Sequence, residues 1–217
     1  MKRVIGKKIK EISNEELVHM INKYKSVVLD IGTGQGEFIY KEGKKNLDTM
    51  YIGIDISADS MEEYSRKASK KAEKGGLENV IYILSDVENF TQGLCSVVDN
   101  IYINLPWGTL RDGVVKGESN ILDGIRKVAK NEGVLTIYTT YCDLYESKEI
   151  QYRKLPKLDI HYLSQVLGEK YKDKGIIMTD LSSLDNEDLK NVPTKWARKL
   201  AFGRKREIFH MKFIIKK

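Results

Sequence analysis

The 217-residue sequence predicts an α/β fold: a mostly parallel seven-stranded sheet with helices on both faces and an antiparallel last strand, carried by a single domain over 1–217. Three observations predict it. Short β-branched runs alternate with helix-length stretches from Val27 onward, which is the pattern of consecutive βαβ units. The first run passes straight into a glycine-rich turn. With 41% hydrophobic residues and only three prolines, the chain has material for a sizeable core and no low-complexity linker.

Taken in order, Val4–Ile5 and residues 8–12 flank Gly6–Lys7, which predicts an N-terminal hairpin within residues 1–12. Ser13 with Glu16 three residues later is the signature of a capping box opening the first helix. Strands are expected at 27–32, 50–56, 80–85, 101–105, 133–141, 176–181 and 208–215. In the last, Phe209, Met211, Phe213 and Ile215 alternate with His210, Lys212, Ile214 and Lys216, the pattern of a half-buried antiparallel edge strand. Residues 143–164 and 186–199 interrupt the alternation as two inserted linkers.

Composition narrows the function classes. No apolar run approaches the roughly 18 residues of a membrane span, and Met1–Lys10 has no signal-peptide core, so a soluble cytoplasmic protein without a membrane partner is expected. Cys95 and Cys142 make no disulfide framework, and with His19, His161 and His210 scattered, no metal site is expected. The net charge of +6 is uneven: from Lys190 to Lys217 ten basic residues face one acid, a local charge of +9, and the rest of the chain carries −3. A basic excess confined to one region is the footprint of a polyanion partner.

Residues 27–36, Val-Val-Leu-Asp-Ile-Gly-Thr-Gly-Gln-Gly, carry the strongest local signal. Gly32, Gly34 and Gly36 let backbone approach a ligand at the carboxyl edge of the first parallel strand. A dinucleotide loop would need a glycine at position 37, where Glu37 stands. Asp30 would repel a pyrophosphate but suits a cationic amino group. Asp55 closes the next strand 23 residues after Gly32, where a carboxylate accepts the hydroxyls of a ribose. For both aspartates the alternative is that they cap loop N–H groups.

Asp-x-Gly-x-Gly-x-Gly followed by a strand-end Asp resembles the class I S-adenosylmethionine-dependent methyltransferases. The resemblance implies a Rossmann-like fold and S-adenosylmethionine as cofactor, with S-adenosylhomocysteine as product. It places Asp30, Gly32, Thr33 and Gly34 near the methionyl end, Asp55 on the ribose, the Val87 backbone and the Glu88 side chain at the adenine, and Leu105 and Thr109 also along the cofactor.

The fourth parallel strand runs into Pro106-Trp107-Gly108-Thr109, so Trp107 is either a stacking face for a base or a core plug. Trp196 lies in a segment that reads as a short helix begun by Pro193, ended at Gly203 and wrapped in positive charge, a composition that stacks bases and grips phosphates. Together with Asp30-Ile31-Gly32-Thr33-Gly34, Tyr51-Ile52-Gly53-Ile54-Asp55, Lys74-Gly75-Gly76-Leu77 and residues 200–206, Leu-Ala-Phe-Gly-Arg-Lys-Arg, these segments resemble the aminoglycoside-resistance 16S rRNA methyltransferases that modify N1 of the decoding-site adenine, adenine-1408. Where some of that family carry an aromatic before Pro-Trp, this chain has Leu105, preceded by Asn104.

The resemblance implies that Trp107 and Trp196 sandwich a flipped adenine and that the 30S ribosomal subunit is the partner; a monomer is the default expectation. Docking falls to Arg66, Lys67, Lys70, Lys71 and Lys74, opposite a helix face of Met61, Tyr64, Ala68 and Ala72, together with Glu146, Arg153, Lys199 and Arg204. Adenine N1 carries its own lone pair, so positioning suffices and no general base is needed. Extruding the base costs a few kcal/mol, which two stacking faces at roughly 1–3 kcal/mol per base offset.

Other readings are a tRNA guanine-N7 methyltransferase, which shares the glycine loop and Gly-Ile-Asp but has an Asp- and Pro-rich motif where this chain has Leu-Pro-Trp-Gly, an NAD-dependent oxidoreductase, and a non-catalytic RNA-binding module. The intact Asp30, glycines and Asp55 argue against the last.

Overall fold

The structure is a computed structural model that describes residues 1–90, 92–192 and 194–217. Among the described residues, nine strands form one sheet in the order β2-β1-β5-β4-β3-β6-β7-β9-β8. They are β1 (Lys2–Ile5), β2 (Lys8–Glu11), β3 (Ser26–Ile31), β4 (Thr49–Asp55), β5 (Val80–Leu84), β6 (Val98–Asn104), β7 (Ala129–Thr139), β8 (Ile176–Leu184) and β9 (Ile208–Ile215). The expected seven strands make the body of the sheet. The hairpin adds the other two, because β1 pairs antiparallel with β5 through Lys2–Leu84 and Arg3–Ile83.

Helices α1 (Asn14–Ile21), α2 (Glu37–Lys45), α3 (Ala58–Ala68), α4 (Gly108–Lys116) and α5 (Ser119–Val128) connect the strands. Ser13 and Glu16 close the capping box on α1, each side chain bonding the other residue's backbone N–H. The period of two along β3 divides the core. Val27, Leu29 and Ile31 face a layer that includes Leu17, Val114, Leu122 and Ile125, while Val28 faces Ile39, Tyr40 and Met61 from α2 and α3. By the same alternation Asp30 shares the face of Val28, and it ends 2% exposed at the strand terminus.

Strand β3 has parallel neighbours on both sides, β4 and β6, so the chain's direction of winding reverses there. A crevice forms outside the carboxyl ends of strands at such a switch point.

Two expectations are corrected. Strand β9 is antiparallel but is not an edge: β8 pairs along its outer side from Ile176–Ile215 to Leu184–Ile208. Its alternation arises because one face is sealed by the main core while His210, Lys212 and Ile214 lie on the opposite face. Helix α3 stops at Ala68, short of Ala72, because the Ala68 carbonyl accepts the Leu77 N–H and Gly75 and Gly76 close a tight turn back onto Ala72 and Lys71. Ala72 is exposed. The first insertion carries α6 (Asp143–Arg153), followed by a π-turn (Tyr162–Leu167) continuing into α7 (Gly168–Lys172); the second carries a 3-10 turn (Asp188–Asn191) and then the short helix expected around Trp196, α8 (Lys195–Ala201). Pro193 lies outside the described residues; Thr194 caps α8 by accepting the Ala197 N–H, and the helix ends before Gly203.

The second insertion has a core of its own, in which Leu105, Leu189, Val192, Leu200 and Ile208 pack together. Each such side chain gains about 1.5–3 kcal/mol on burial, which holds α8 against the end of β6. Among the described residues, no helix is long and apolar enough to cross a membrane, and no cluster of three or more His, Cys, Asp or Glu could hold a metal ion.

Candidate active site

A cavity of about 900 Å³ opens at the switch point, bounded by residues 30–35, Asp55, residues 85–88, the 104–110 turn, Glu118 and Ile121, and roofed by Thr194, Lys195, Trp196 and Lys199 of the second insertion. The turn that enters α2 explains why glycine is required. Gly36 has φ +77°, and an added Cβ would sit 2.0 Å from Cε1 of Tyr82, whose hydroxyl donates to the Gly36 carbonyl at 2.8 Å. Gly34, at φ +54°, would meet nothing within 4 Å, so its open side faces the cavity.

Asp30 is the electrostatic centre. It accepts from the Thr33 hydroxyl at 2.6 Å and from Asn104 Nδ2 at 3.1 Å. Burial pushes its carboxyl up to about 7, against the pull of those two hydrogen bonds, and the charge of Asp55 adds to the rise. A buried carboxylate short of positive charge is suited to a cationic ligand group. Asp55 fulfils the loop-capping alternative in part: its Oδ2 accepts the Gly34 N–H and its Oδ1 the Ser57 N–H, both at 2.9 Å. Each oxygen retains a lone pair, so Asp55 can fix the glycine loop and still accept a ribose hydroxyl.

At the opposite end, Val87 is buried, and exposed Glu88 accepts from Asn120 Nδ2 at 2.8 Å. Thr109 lines the cavity and is exposed. Leu105 adopts φ +53°, uncommon for a residue with a side chain. Its N–H donates to the Tyr138 carbonyl at 2.8 Å, and its side chain packs in the small core under α8. The residue before Pro-Trp therefore supports the helix that carries Trp196.

The two tryptophans meet at the cavity mouth, neither of them a core plug: Trp107 is 49% exposed and Trp196 37%. Their ring centroids are 5.6 Å apart at an interplanar angle of 76°, an edge-to-face contact. A base between them would need parallel faces about 7 Å apart, two van der Waals contacts. In this arrangement the two rings touch edge to face and leave no such gap between them.

The expected docking residues divide into two groups. Lys70, Lys71, Lys74, Lys199 and Arg204 are exposed; Lys199 lies 5.9 Å from the Trp196 ring centroid and Arg204 5.0 Å from that of Tyr145. Arg66 is exposed with its stem against Gly6. Lys67 pairs with Glu63 at 2.7 Å and covers the Tyr64 ring. Glu146 turns inward at a kink in α6, accepting the Cys142 N–H at 2.8 Å and facing Arg206 at 3.7 Å. Arg153 is bound to Asp112 at 2.9 Å and to Glu149.

Sequence reasoning missed Arg111, 1% exposed, whose guanidinium lies 5.3 Å from the Trp107 centroid between Asp112 and Glu149. It also missed Glu37 as a partner of Arg198. Both contacts depend on tertiary placement, and no local pattern announces them.

A sheet with this strand order, a glycine loop at its switch point and paired acids at the ends of β3 and β4 define a class I S-adenosylmethionine-dependent methyltransferase. A family model described as "NpmA: 16S rRNA (adenine(1408)-N(1))-methyltransferase" matches residues 2–215, and the chain belongs to that family. It is 38% identical to the Escherichia coli 16S rRNA (adenine(1408)-N(1))-methyltransferase, over 95% of this chain and 94% of the relative. To the enzyme of the same description from Streptoalloteichus tenebrarius it is 29% identical, again over 95% and 94%. Among solved structures, a variant of the Catenulisporales acidiphilia enzyme with cosubstrate SAM superposes with a TM-score of 0.90 at 27% identity, covering 100% of this chain and 97% of that one.

Proposed function

We propose that this chain transfers the methyl group of S-adenosylmethionine to N1 of adenine-1408 in 16S rRNA and thereby confers aminoglycoside resistance, acting in the cytoplasm as a monomer on the assembled 30S subunit. The observation that carries the reading is the meeting of Trp107 and Trp196 at the mouth of the cavity that Asp30 and Asp55 line.

The residues present fit the cofactor. Asp30 would offer a buried carboxylate to the methionyl ammonium, Gly34 would leave its open side to the ligand, Asp55 would accept from the ribose, and the Val87 backbone with Glu88 would close the adenine end. Bound S-adenosylmethionine supplies an electrophilic sulfonium methyl group. Trp107 and Trp196 take the extruded adenine, each stacked face offsetting part of the few kcal/mol that extrusion costs. They hold N1 so that its lone pair is aimed into the cavity; no side chain need remove a proton, and rate derives from orientation. Lys70, Lys71 and Lys74 beyond α3, and Lys199 and Arg204 around α8, supply the positive surface for rRNA phosphates. Arg66 and Lys67 extend that surface, while Glu146 and Arg153 serve docking indirectly, by holding α6 in place.

Incubation of purified 30S subunits with protein and radiolabelled S-adenosylmethionine tests the reading. One methyl per subunit is expected, with far less on protein-free 16S rRNA and none on tRNA. Methylation of tRNA in place of subunits would contradict it.

A further inference from the structure

Glu37 stands where a dinucleotide loop would carry glycine, and its side chain is 8% exposed at the start of α2. Three helices converge on its carboxylate. Arg198 of α8 donates from Nη2 to Oε1 at 2.8 Å and to Oε2 at 2.6 Å. Lys41, one turn along α2, lies at 3.1 Å. Tyr64 of α3 lies beside it, and burial followed by the influence of the Glu37 carboxylate pushes the phenol up to about 12. Burial alone would raise the carboxyl of Glu37, but Arg198, Lys41 and Tyr64 hold it below the usual range.

We propose that the Glu37–Arg198 pair is a positioning clasp for methyl transfer, fastening the helix that carries Trp196 to the helix that follows the glycine loop. The proposal rests on the assignment of Trp196 as a base-stacking residue. Its physical basis is the weakness of α8 by itself. Seven residues are too few to hold a helix by backbone hydrogen bonds. One side of α8 is anchored by Ala197, Leu200 and Ala201 in the small core, while Trp196 and Lys199 look into the cavity. Thr194 caps its start and Asn186 Nδ2 donates to the Leu200 carbonyl at 2.6 Å, both within the insertion, whereas Arg198 reaches α2 across 161 residues and ties the stacking face directly to the cofactor loop. One buried carboxylate thus joins the helix that follows the cofactor loop to the helix that carries the base-stacking face. Without Arg198 the carboxylate keeps Lys41 of its own helix at 3.1 Å, and the tie to α8 is lost.

The test uses Arg198→Ala, Arg198→Lys and Glu37→Gln in the full chain, each also made with Trp107→Phe so that Trp196 is the sole tryptophan. Acrylamide quenching of Trp196 fluorescence in the free protein is expected to rise in Arg198→Ala and Glu37→Gln, with Arg198→Lys lying between them and the parent. With Trp107 intact, kcat on 30S subunits should fall on the order of 100-fold in Arg198→Ala, while KM for the subunit and calorimetric affinity for S-adenosylmethionine stay at parental values. Parental quenching together with parental kcat in Arg198→Ala would overturn the clasp. So would loss of cofactor affinity and turnover in equal proportion, with a lowered melting temperature and no benefit from lysine, since that marks general support of the fold. If the parent itself transfers no methyl group to subunits, the assigned reaction fails, and the quenching series in the free protein still decides the clasp.

Discussion

Cofactor affinity should depend on pH through Asp30. In the free protein its carboxyl titrates at about 7, raised by burial, whereas a bound ammonium group requires it ionised. Below pH 7, binding must therefore expel a proton; as pH rises through 7 that penalty vanishes. From pH 5.5 to 7.5, a range in which the methionyl amino group remains largely protonated, affinity should rise about 25-fold, or about 2 kcal/mol. Calorimetry at pH 6 in buffers of different ionisation enthalpy should show about 0.9 proton released per cofactor bound. Asp30→Asn should abolish the pH dependence and weaken binding by roughly 10- to 150-fold, the range for a hydrogen bond to a charged group. The stability of the free protein moves the opposite way. A carboxyl whose folded value lies above 3.8 favours the fold most at low pH and loses that contribution as pH rises through about 7, so Asp30→Asn should raise Tm at pH 8. A flat affinity profile with no proton release would refute the role of Asp30 and the electrostatic account of the site.

Trp107→Ala and Trp196→Ala should each abolish methylation while calorimetric cofactor binding survives; unchanged methylation in both would remove the base slot. Charge reversal at Lys70, Lys71 and Lys74, the lysines of the patch that lie beyond α3, should weaken subunit binding and flatten its salt dependence by about one unit of log–log slope per lost phosphate contact; an unaltered slope would make them solvated surface. Gly36→Ala should lower Tm and cofactor affinity together, since its methyl group would collide with Tyr82; a neutral outcome would mean the turn relaxes freely.

Most of this architecture is written in local pattern. The strands are short, β-branched and separated by helix-length stretches, so each could be found within a few residues of its position, and Ser13 with Glu16 marked the first helix start without tertiary help. Asp30, the glycines and Asp55 were equally legible, because spacing along a strand and its following turn fixes where the side chains emerge. What escaped depends on partners distant in sequence. The same alternation in β9 serves an edge strand or an inner one, and only the pairing with β8 distinguishes them. The lysine-rich run after Arg66 continues the helical pattern, yet the Leu77 N–H captures the Ala68 carbonyl and ends the helix. In the sequence Glu37 stands out only for the glycine it replaces, while its bond to Arg198 and the edge-to-face closure of the tryptophans arise only when the second insertion folds over the cavity.

Primer extension on 16S rRNA from cells that express the protein tests the central claim most directly, because an N1-methyl on adenine blocks reverse transcriptase. A single strong stop at the decoding-site adenine, absent in cells expressing Trp107→Ala, is the predicted result. A full-length product through that position in cells making folded wild-type protein, or a stop at another nucleotide, would contradict it.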